Sequence, residues 1–77
     1  METEITGEMV RQSRTEIPRL LGYDERWTQV KLAIVLGVES NYIAMVERNE
    51  RQPSELFKRA LKFVLQLAQH GIDPSTL

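Results

Sequence analysis

The stretch LAIVLGVESNYIAMVE, residues 32–47, is largely apolar but has a glycine and a short polar run near its middle. Inside one long helix, Gly37 would cost roughly 1 kcal/mol relative to alanine. At the end of a helix, a glycine adopts without steric penalty the left-handed conformation that terminates the helix. The stretch therefore predicts two short helices joined by a turn at Gly37.

A buried strand is the alternative for residues 32–38, because a continuous apolar run of this length also occurs in strands. Three observations favour the helix. Leu32 and Leu36 lie four residues apart, Thr28 is a suitable N-cap, and the chain has no second strand-like run with which a strand could pair.

The segment before this stretch also carries helix signals. Thr6 is a suitable N-cap for a first helix over about residues 7–17, which we expect Pro18 to end or kink. The following segment PRLLGYDERW, residues 18–27, contains a proline and a glycine. It is expected to form a short helical turn followed by a loop.

The helices on either side of Gly37 have clear limits in the sequence. Thr28 caps a second helix that ends at about Leu36, and a third helix is expected over about residues 40–48. Ser54 caps a fourth helix that ends at about Gln69. The tail DPSTL is expected to fray. The sequence thus predicts an all-α chain of four to five helices.

The fourth helix is more apolar than burial of one face requires. Its main stripe has helical spacing and consists of Phe57, Ala60, Leu61, Val64, Leu67 and Ala68. Leu56, Phe63 and Leu65 widen this stripe, which predicts a second buried surface. We expect that surface to join two copies of the chain in a homodimer, with contacts from Leu56, Phe63, Leu65 and Leu67.

Length and composition limit the possible functions. The 77 residues are expected to form one domain, residues 1–77, and a chain of this size buries only about 60% of its unfolded surface. Without cysteine, and with His70 as the only histidine, the chain suggests no metal site and no cofactor. No Ser/His/Asp or carboxylate pair stands in a catalytic setting, and no sizeable pocket is expected, so the sequence does not predict an enzyme.

The charge distribution is compatible with a modest basic surface. The net charge is -1, but residues 9–72 contain all ten Lys and Arg against seven of the acidic residues. The acidic start of the chain does not resemble a signal peptide, and its longest apolar run is far shorter than the roughly 20 residues that span a bilayer. We expect no membrane contact and a cytoplasmic location.

The spacing around Gly37 suits two short helices that cross at roughly 90 to 120 degrees. Gly37 would make the turn and Ala33 would allow the second helix to pass closely over the first. The apolar residues that would fill the angle are Leu32, Leu36, Val38, Ile43 and Val46. Such a unit leaves the outer face of its second helix free to enter a major groove.

The segment TQVKLAIVLGVESNYIAMVERNERQPS, residues 28–54, resembles the helix-turn-helix of the Cro and phage-repressor (XRE-like) family. The residues that match the family pattern are Thr28, Gln29, Leu32, Ala33, Leu36, Gly37, Val38, Ile43, Glu47, Pro53 and Ser54. The resemblance implies a compact lambda-repressor-like DNA-binding domain. Its helix-turn-helix would lie at about residues 28–48 and its dimerising helix at about residues 54–70.

The resemblance also implies the residues that meet base edges. The recognition helix would be residues 40–48, with Ser40, Asn41 and Met45 at base-contacting positions. Asparagine can pair with adenine, serine can bond to several bases, and methionine offers apolar contact. Glu39 stands where the family usually has a small hydroxyl residue. Its carboxylate would either accept a hydrogen bond from a cytosine amino group or weaken binding.

Other positions would contact the DNA backbone or support the motif. Gln29 matches a family residue that bonds a phosphate at a helix N-terminus. The further backbone candidates are Tyr42, Arg48, Asn49 and Arg51. Arg14 would pair with Glu47 across the core, and residues 18–27 would be an insertion. Each has a structural alternative: Tyr42 could pack on the core, Met45 could fill a gap, and the arginines could be solvated.

These expectations favour a transcriptional regulator, most simply a phage or mobile-element repressor that binds a palindromic operator in double-stranded DNA as a homodimer. One alternative is an antitoxin or accessory regulator that also binds a protein partner. A second alternative is an interaction module that has lost DNA binding. The sequence leaves these three open.

Overall fold

The computed structural model describes residues 5–76, so the acidic residues Glu2 and Glu4 and the last residue of the tail lie outside it. The described chain forms α1 (Gly7–Leu20), α2 (Gln29–Leu36), α3 (Ser40–Glu47), α4 (Glu55–Gln69) and a 3-10 turn (Pro74–Thr76). The all-α prediction is confirmed, and residues 32–38 are not a strand. No single helix in residues 5–76 has the length and apolar character to cross a bilayer; only α2 and α3 together do, and that pair is sharply bent.

Hydroxyl side chains begin three of the four helices, at the positions that the sequence predicts. The side-chain oxygens of Thr6, Thr28 and Ser54 each accept a hydrogen bond from the backbone N–H three residues on, at 3.2, 3.0 and 3.1 Å. Each such cap stabilises a helix by about 1 kcal/mol. Glu39 precedes α3 without making a capping hydrogen bond.

Helix α1 continues through Pro18 to Leu20, so the prediction that it ends near residue 17 is wrong. A proline lacks the N–H that would bond to the carbonyl of Arg14 one turn earlier. The backbone N–H of Trp27 donates to this carbonyl instead, at 2.8 Å, and the Arg14 guanidinium donates to the Trp27 carbonyl at 3.2 Å. The returning loop thus replaces the hydrogen bond that the proline removes.

The loop after α1 is held to the C-terminal tail. The hydroxyl of Tyr23 donates to the carboxylate of Asp73 at 3.3 Å, and the hydroxyl of Ser75 donates to the same carboxylate at 2.6 Å. The Ser75 hydrogen bonds, with a smaller contribution from Tyr23, hold the pKa of Asp73 below its ordinary value. Pro74 is buried in the 3-10 turn that packs against α4. The expectation that the tail frays is therefore wrong for residues 73–76, and Leu77 lies outside the described residues.

The turn between α2 and α3 has the predicted geometry. Gly37 is left-handed, with φ 74° and ψ 31°. The N–H groups of Gly37 and Val38 donate to the carbonyls of Ile34 and Ala33 at 3.3 and 3.0 Å, which satisfies two of the last four carbonyls of α2. The axes of α2 and α3 differ in direction by 114°.

All four helices contribute to one core, whose buried residues are Ile5, Val10, Ile17, Trp27, Leu32, Ala33, Ile43, Val46, Phe57, Leu61, Val64 and Ala68. Leu36 and Val38, expected in the angle between α2 and α3, are half-buried against this core. Gly7 lets the start of α1 approach the end of α3, because a Cβ at this position would overlap the carbonyl oxygen of Val46. The core thus fixes α3 against α1 as well as against α2.

Candidate nucleic-acid interface

The predicted base-contacting residues lie together at the start of α3. Glu39, Ser40 and Asn41 are exposed, and Met45, one turn further on, is half-buried. Asn41, Met45 and the next residue at this spacing, Arg48, follow one another on the side of α3 away from its buried residues. Because its carboxylate makes no capping bond, Glu39 is available to a partner outside the chain.

A buried carboxylate beneath α3 connects three helices. The side chain of Glu47 is only 3% exposed. Arg14 donates to its two carboxylate oxygens from Nε and Nη2, each at 2.8 Å, and Gln29 donates from Nε2 to Oε1 at 3.1 Å. The structure therefore brings Arg14 and Glu47 together as the sequence predicts. The network fixes the orientation of α3 relative to α1 and α2.

Gln29 and Tyr42, two of the predicted phosphate-contacting residues, also make contacts inside the protein. The Gln29 amide joins the Glu47 network. The Tyr42 ring packs edge-on against Phe57, with 5.2 Å between ring centroids, and its hydroxyl accepts from the Ser54 N–H at 2.9 Å. The hydroxyl hydrogen of Tyr42 can still be donated to a phosphate. The packing role is present, and the phosphate contacts stay predictions.

The loop between α3 and α4 carries the other backbone candidates, Arg48, Asn49 and Arg51, all exposed. Arg51 lies over the ring of Tyr42, with Cζ 5.4 Å from the ring centroid. Asn49 has a left-handed backbone with φ 62°, which asparagine tolerates better than most residues. The three residues thus lie within four positions of the last residue of α3.

Glu50 was missed by the sequence analysis. Arg48 donates to both of its carboxylate oxygens, at 2.9 and 3.0 Å. These hydrogen bonds lower the pKa of Glu50 and raise that of Arg48. Within residues 5–76 Arg51 has no ion pair, so the two arginines differ in how freely they can meet a phosphate. The signal in the sequence was an acidic residue two positions after a candidate cation.

An apolar groove of about 400 Å³ lies between α3 and the start of α4. Asn41 and Met45 line it from α3, whereas Leu56 and Ala60 line it from α4. The turn at residues 37–39 also contributes to the lining. The side chains predicted to read bases therefore border an apolar depression, which the sequence analysis did not foresee.

Comparisons of the chain with protein-family models, with curated proteins and with solved structures give no match. Two further surfaces lie wholly or partly outside the groove.

The predicted dimer residues do not share one surface. Leu56 and Phe63 are 78% and 59% exposed, and Leu67 is half-buried on the same side of α4. Leu65 packs against the core instead. At 100° per residue it lies on the opposite side of the helix from Leu56. The assignment of Leu65 to the dimer surface is therefore not supported by its position.

An open cleft of about 630 Å³, larger than the sequence analysis expected, lies between the loop after α1 and the tail. Its lining includes Tyr23, Trp27, Lys31 and Asp73. The first and last of these are hydrogen-bonded to each other, and the Lys31 ammonium lies 5.5 Å from the centroid of the Trp27 ring. The cleft shares no lining residue with the groove beside α3.

Proposed function

We propose that this chain is a sequence-specific DNA-binding repressor of the Cro and phage-repressor (XRE-like) type that binds an inverted repeat as a homodimer. The observation that carries the proposal is the unit formed by α2, the left-handed Gly37 and α3, with a 114° change of direction. It supports the proposal because the first turn of α3 is polar and exposed. An exposed helix of this kind fits a major groove.

Base reading is assigned to the start of α3. The side-chain N–H of Asn41 can donate to N7 of adenine while its amide oxygen accepts from the exocyclic N6 amino group, and Ser40 can bond to several bases. Met45 offers apolar contact to a thymine methyl group. Glu39 can accept from the amino group of cytosine, which gives the departure from the family pattern a role.

Backbone contacts are assigned to the two ends of the unit. Gln29 opens α2, where the helix N-terminus favours an anion. Arg48 and Arg51 follow α3 and supply two cations, Arg48 by exchanging Glu50 for a phosphate. Asn49 and the Tyr42 hydroxyl supply two donors. Such contacts position the protein but carry no sequence information.

A single recognition helix reads few base pairs, so specificity requires two copies. Two-fold pairing would place two α3 helices about 34 to 36 Å apart on one face of the duplex. In-vitro selection from a random duplex library tests the proposal as a whole. A palindrome is the expected result, and selection without any enriched sequence would contradict it.

The base and backbone assignments make different predictions. Asn41→Ala should relax the preference at one base position, with a loss of about 1 to 3 kcal/mol at the preferred base. Arg51→Ala should weaken binding to all duplex sequences by the same factor. Both are measured by competition gel shift with the selected duplex and single-base variants. The assignment would be overturned if Arg51→Ala altered base preference and Asn41→Ala weakened binding uniformly.

Salt should weaken binding to a degree set by the arginines. If Arg48 and Arg51 of both copies each neutralise one phosphate, the slope of log K against log salt is about -3.6, and Arg51→Ala reduces it to about -1.8. The control is Arg19→Ala, which removes an exposed arginine paired with Glu16 on α1. A slope near zero, or equal slopes for the Arg51 and Arg19 variants, would contradict the backbone assignment.

A protein-binding regulator, such as an antitoxin or accessory factor, is the second candidate. The observation that favours it is the exposure of Leu56 and Phe63, because large exposed apolar side chains on one helix face are typical of protein interaction sites. If a gel shift at low salt shows no retardation of any duplex, this candidate is favoured over the repressor.

A further inference from the structure

One side of α4, next to its buried face, is apolar and partly exposed. We define the α4 stripe as Leu56, Ala60, Phe63 and Leu67, whose spacing of four, three and four residues places them in a row along the helix. None of the four carries a charge, so covering the stripe would bury no ion. Two of its members, Leu56 and Ala60, also line the groove beside α3. The stripe therefore continues into the groove.

The α4 stripe matches itself when it is reversed. Its midpoint lies between residues 61 and 62, and reversal about this point exchanges Leu56 with Leu67 and Ala60 with Phe63. We propose that a second copy of this chain covers the stripe, with the two α4 helices antiparallel. Leu56 then packs against the partner subunit's Leu67, and the partner subunit's Phe63 packs over Ala60, the smallest residue of the stripe.

This register places an aromatic ring in the groove. Ala60 is part of the groove lining, so the partner subunit's Phe63, lying over Ala60, enters the groove between α4 and α3. The groove volume of about 400 Å³ is within the range of pockets that enclose small ligands, and a phenyl ring fits it. The opposite wall includes Asn41 and Met45, and Glu39 and Arg51 also line the groove. Each copy thus supplies a residue that supports the base-reading helix of the other.

The area of the stripe indicates how strong the pairing is. Specific interfaces bury about 800 Å² on each partner, whereas a fully buried aromatic side chain contributes about 150 to 250 Å². Four side chains, one of them alanine, cannot reach the usual area without the groove. We therefore expect a weak dimer in free solution that is completed on the operator. The two-fold operator in this inference rests on the proposed function.

Cysteine cross-linking tests the register directly, because the chain has no cysteine of its own. Leu56→Cys is mixed with Leu67→Cys, one of the two carrying a mass tag, and oxidised with and without the selected duplex. The mixture should give the mixed disulfide. Neither variant alone should cross-link, because two copies of position 56 lie eleven residues apart along the paired helices, about 16 Å, well beyond the reach of a disulfide.

Two exposed positions on α2 provide the matched control. Val30 and Ile34 are 56% and 73% exposed, and their cysteine variants report cross-linking by random collision. The antiparallel pairing is overturned if the mixture cross-links no more than these controls. It is also overturned if Leu56→Cys cross-links efficiently to itself, which would indicate parallel helices.

The outcome can be separated from the proposed function. A mixed disulfide in a protein that binds no duplex would support the pairing and contradict the repressor. Selection of a palindrome without the mixed disulfide would support the repressor and contradict this pairing.

Discussion

Replacing Glu47 with alanine should lower the free energy of unfolding by about 3 to 5 kcal/mol. Arg14 is only 12% exposed, and it donates two hydrogen bonds to the Glu47 carboxylate. Removing the carboxylate leaves a guanidinium charge with little access to water. A domain of this size is stabilised by only about 5 to 15 kcal/mol in total, so the loss removes a substantial fraction of that stability.

Urea denaturation followed by circular dichroism measures this loss. The matched control is Glu16→Ala, which removes a carboxylate that pairs with Arg19 on the surface of α1. Surface pairs contribute about 0 to 1 kcal/mol, so the control should remain close to the wild type. If Glu47→Ala lowers the free energy of unfolding no more than Glu16→Ala does, Arg14 finds another partner when Glu47 is absent.

A double variant separates stability from the placement of α3. Replacing Arg14 with leucine and Glu47 with methionine removes both charges, and such replacements are often neutral or stabilising. The Gln29 amide then loses the acceptor that fixes it. We expect the double variant to recover most of the stability and to bind DNA more weakly than the wild type. If the double variant recovers both the stability and the DNA affinity of the wild type, the network contributes to stability alone.

The helix limits could be predicted where neighbouring residues determine them. Thr28 and Ser54 accept hydrogen bonds from residues three positions away, and the left-handed Gly37 ends α2 without any distant contact. Pro18 shows where this fails. Its effect on α1 depends on the N–H of Trp27, which the loop returns to the helix. The ordered tail likewise depends on Tyr23, fifty residues earlier in the chain.

The candidate site could be predicted in part for the same reason. The exposed run from Glu39 to Asn41 follows from the turn at Gly37, and the pair of Arg14 and Glu47 followed from the family resemblance. The groove could not be foreseen, because it requires the packing of α4 against the turn. Periodicity alone also placed Leu65 on the dimer surface, although its side chain packs on the core.

Phe63→Glu should give the largest change in operator affinity. The side chain is 59% exposed, so the substitution disturbs little of the monomer, but in the proposed dimer it places a carboxylate in the partner's apolar groove. When two binding sites are linked, the overall affinity exceeds that of one site by about 100- to 10,000-fold. Binding to the full palindrome should therefore fall at least about 100-fold, to the level of a single half-site.

The comparison of full-site and half-site duplexes determines the cause of that loss. Phe63→Glu should leave half-site binding nearly unchanged, because the residue lies on α4 and belongs to neither end of the α2–α3 unit. Ile34→Glu is the matched control, since it adds the same charge at an apolar position that is 73% exposed on α2. If the added charge is simply repelled by DNA, both variants should bind both duplexes more weakly. If pairing is lost, only Phe63→Glu should lose affinity, and only for the palindrome. A Phe63→Glu variant that kept the wild-type advantage of the palindrome over the half-site would show that the α4 stripe does not join the two copies.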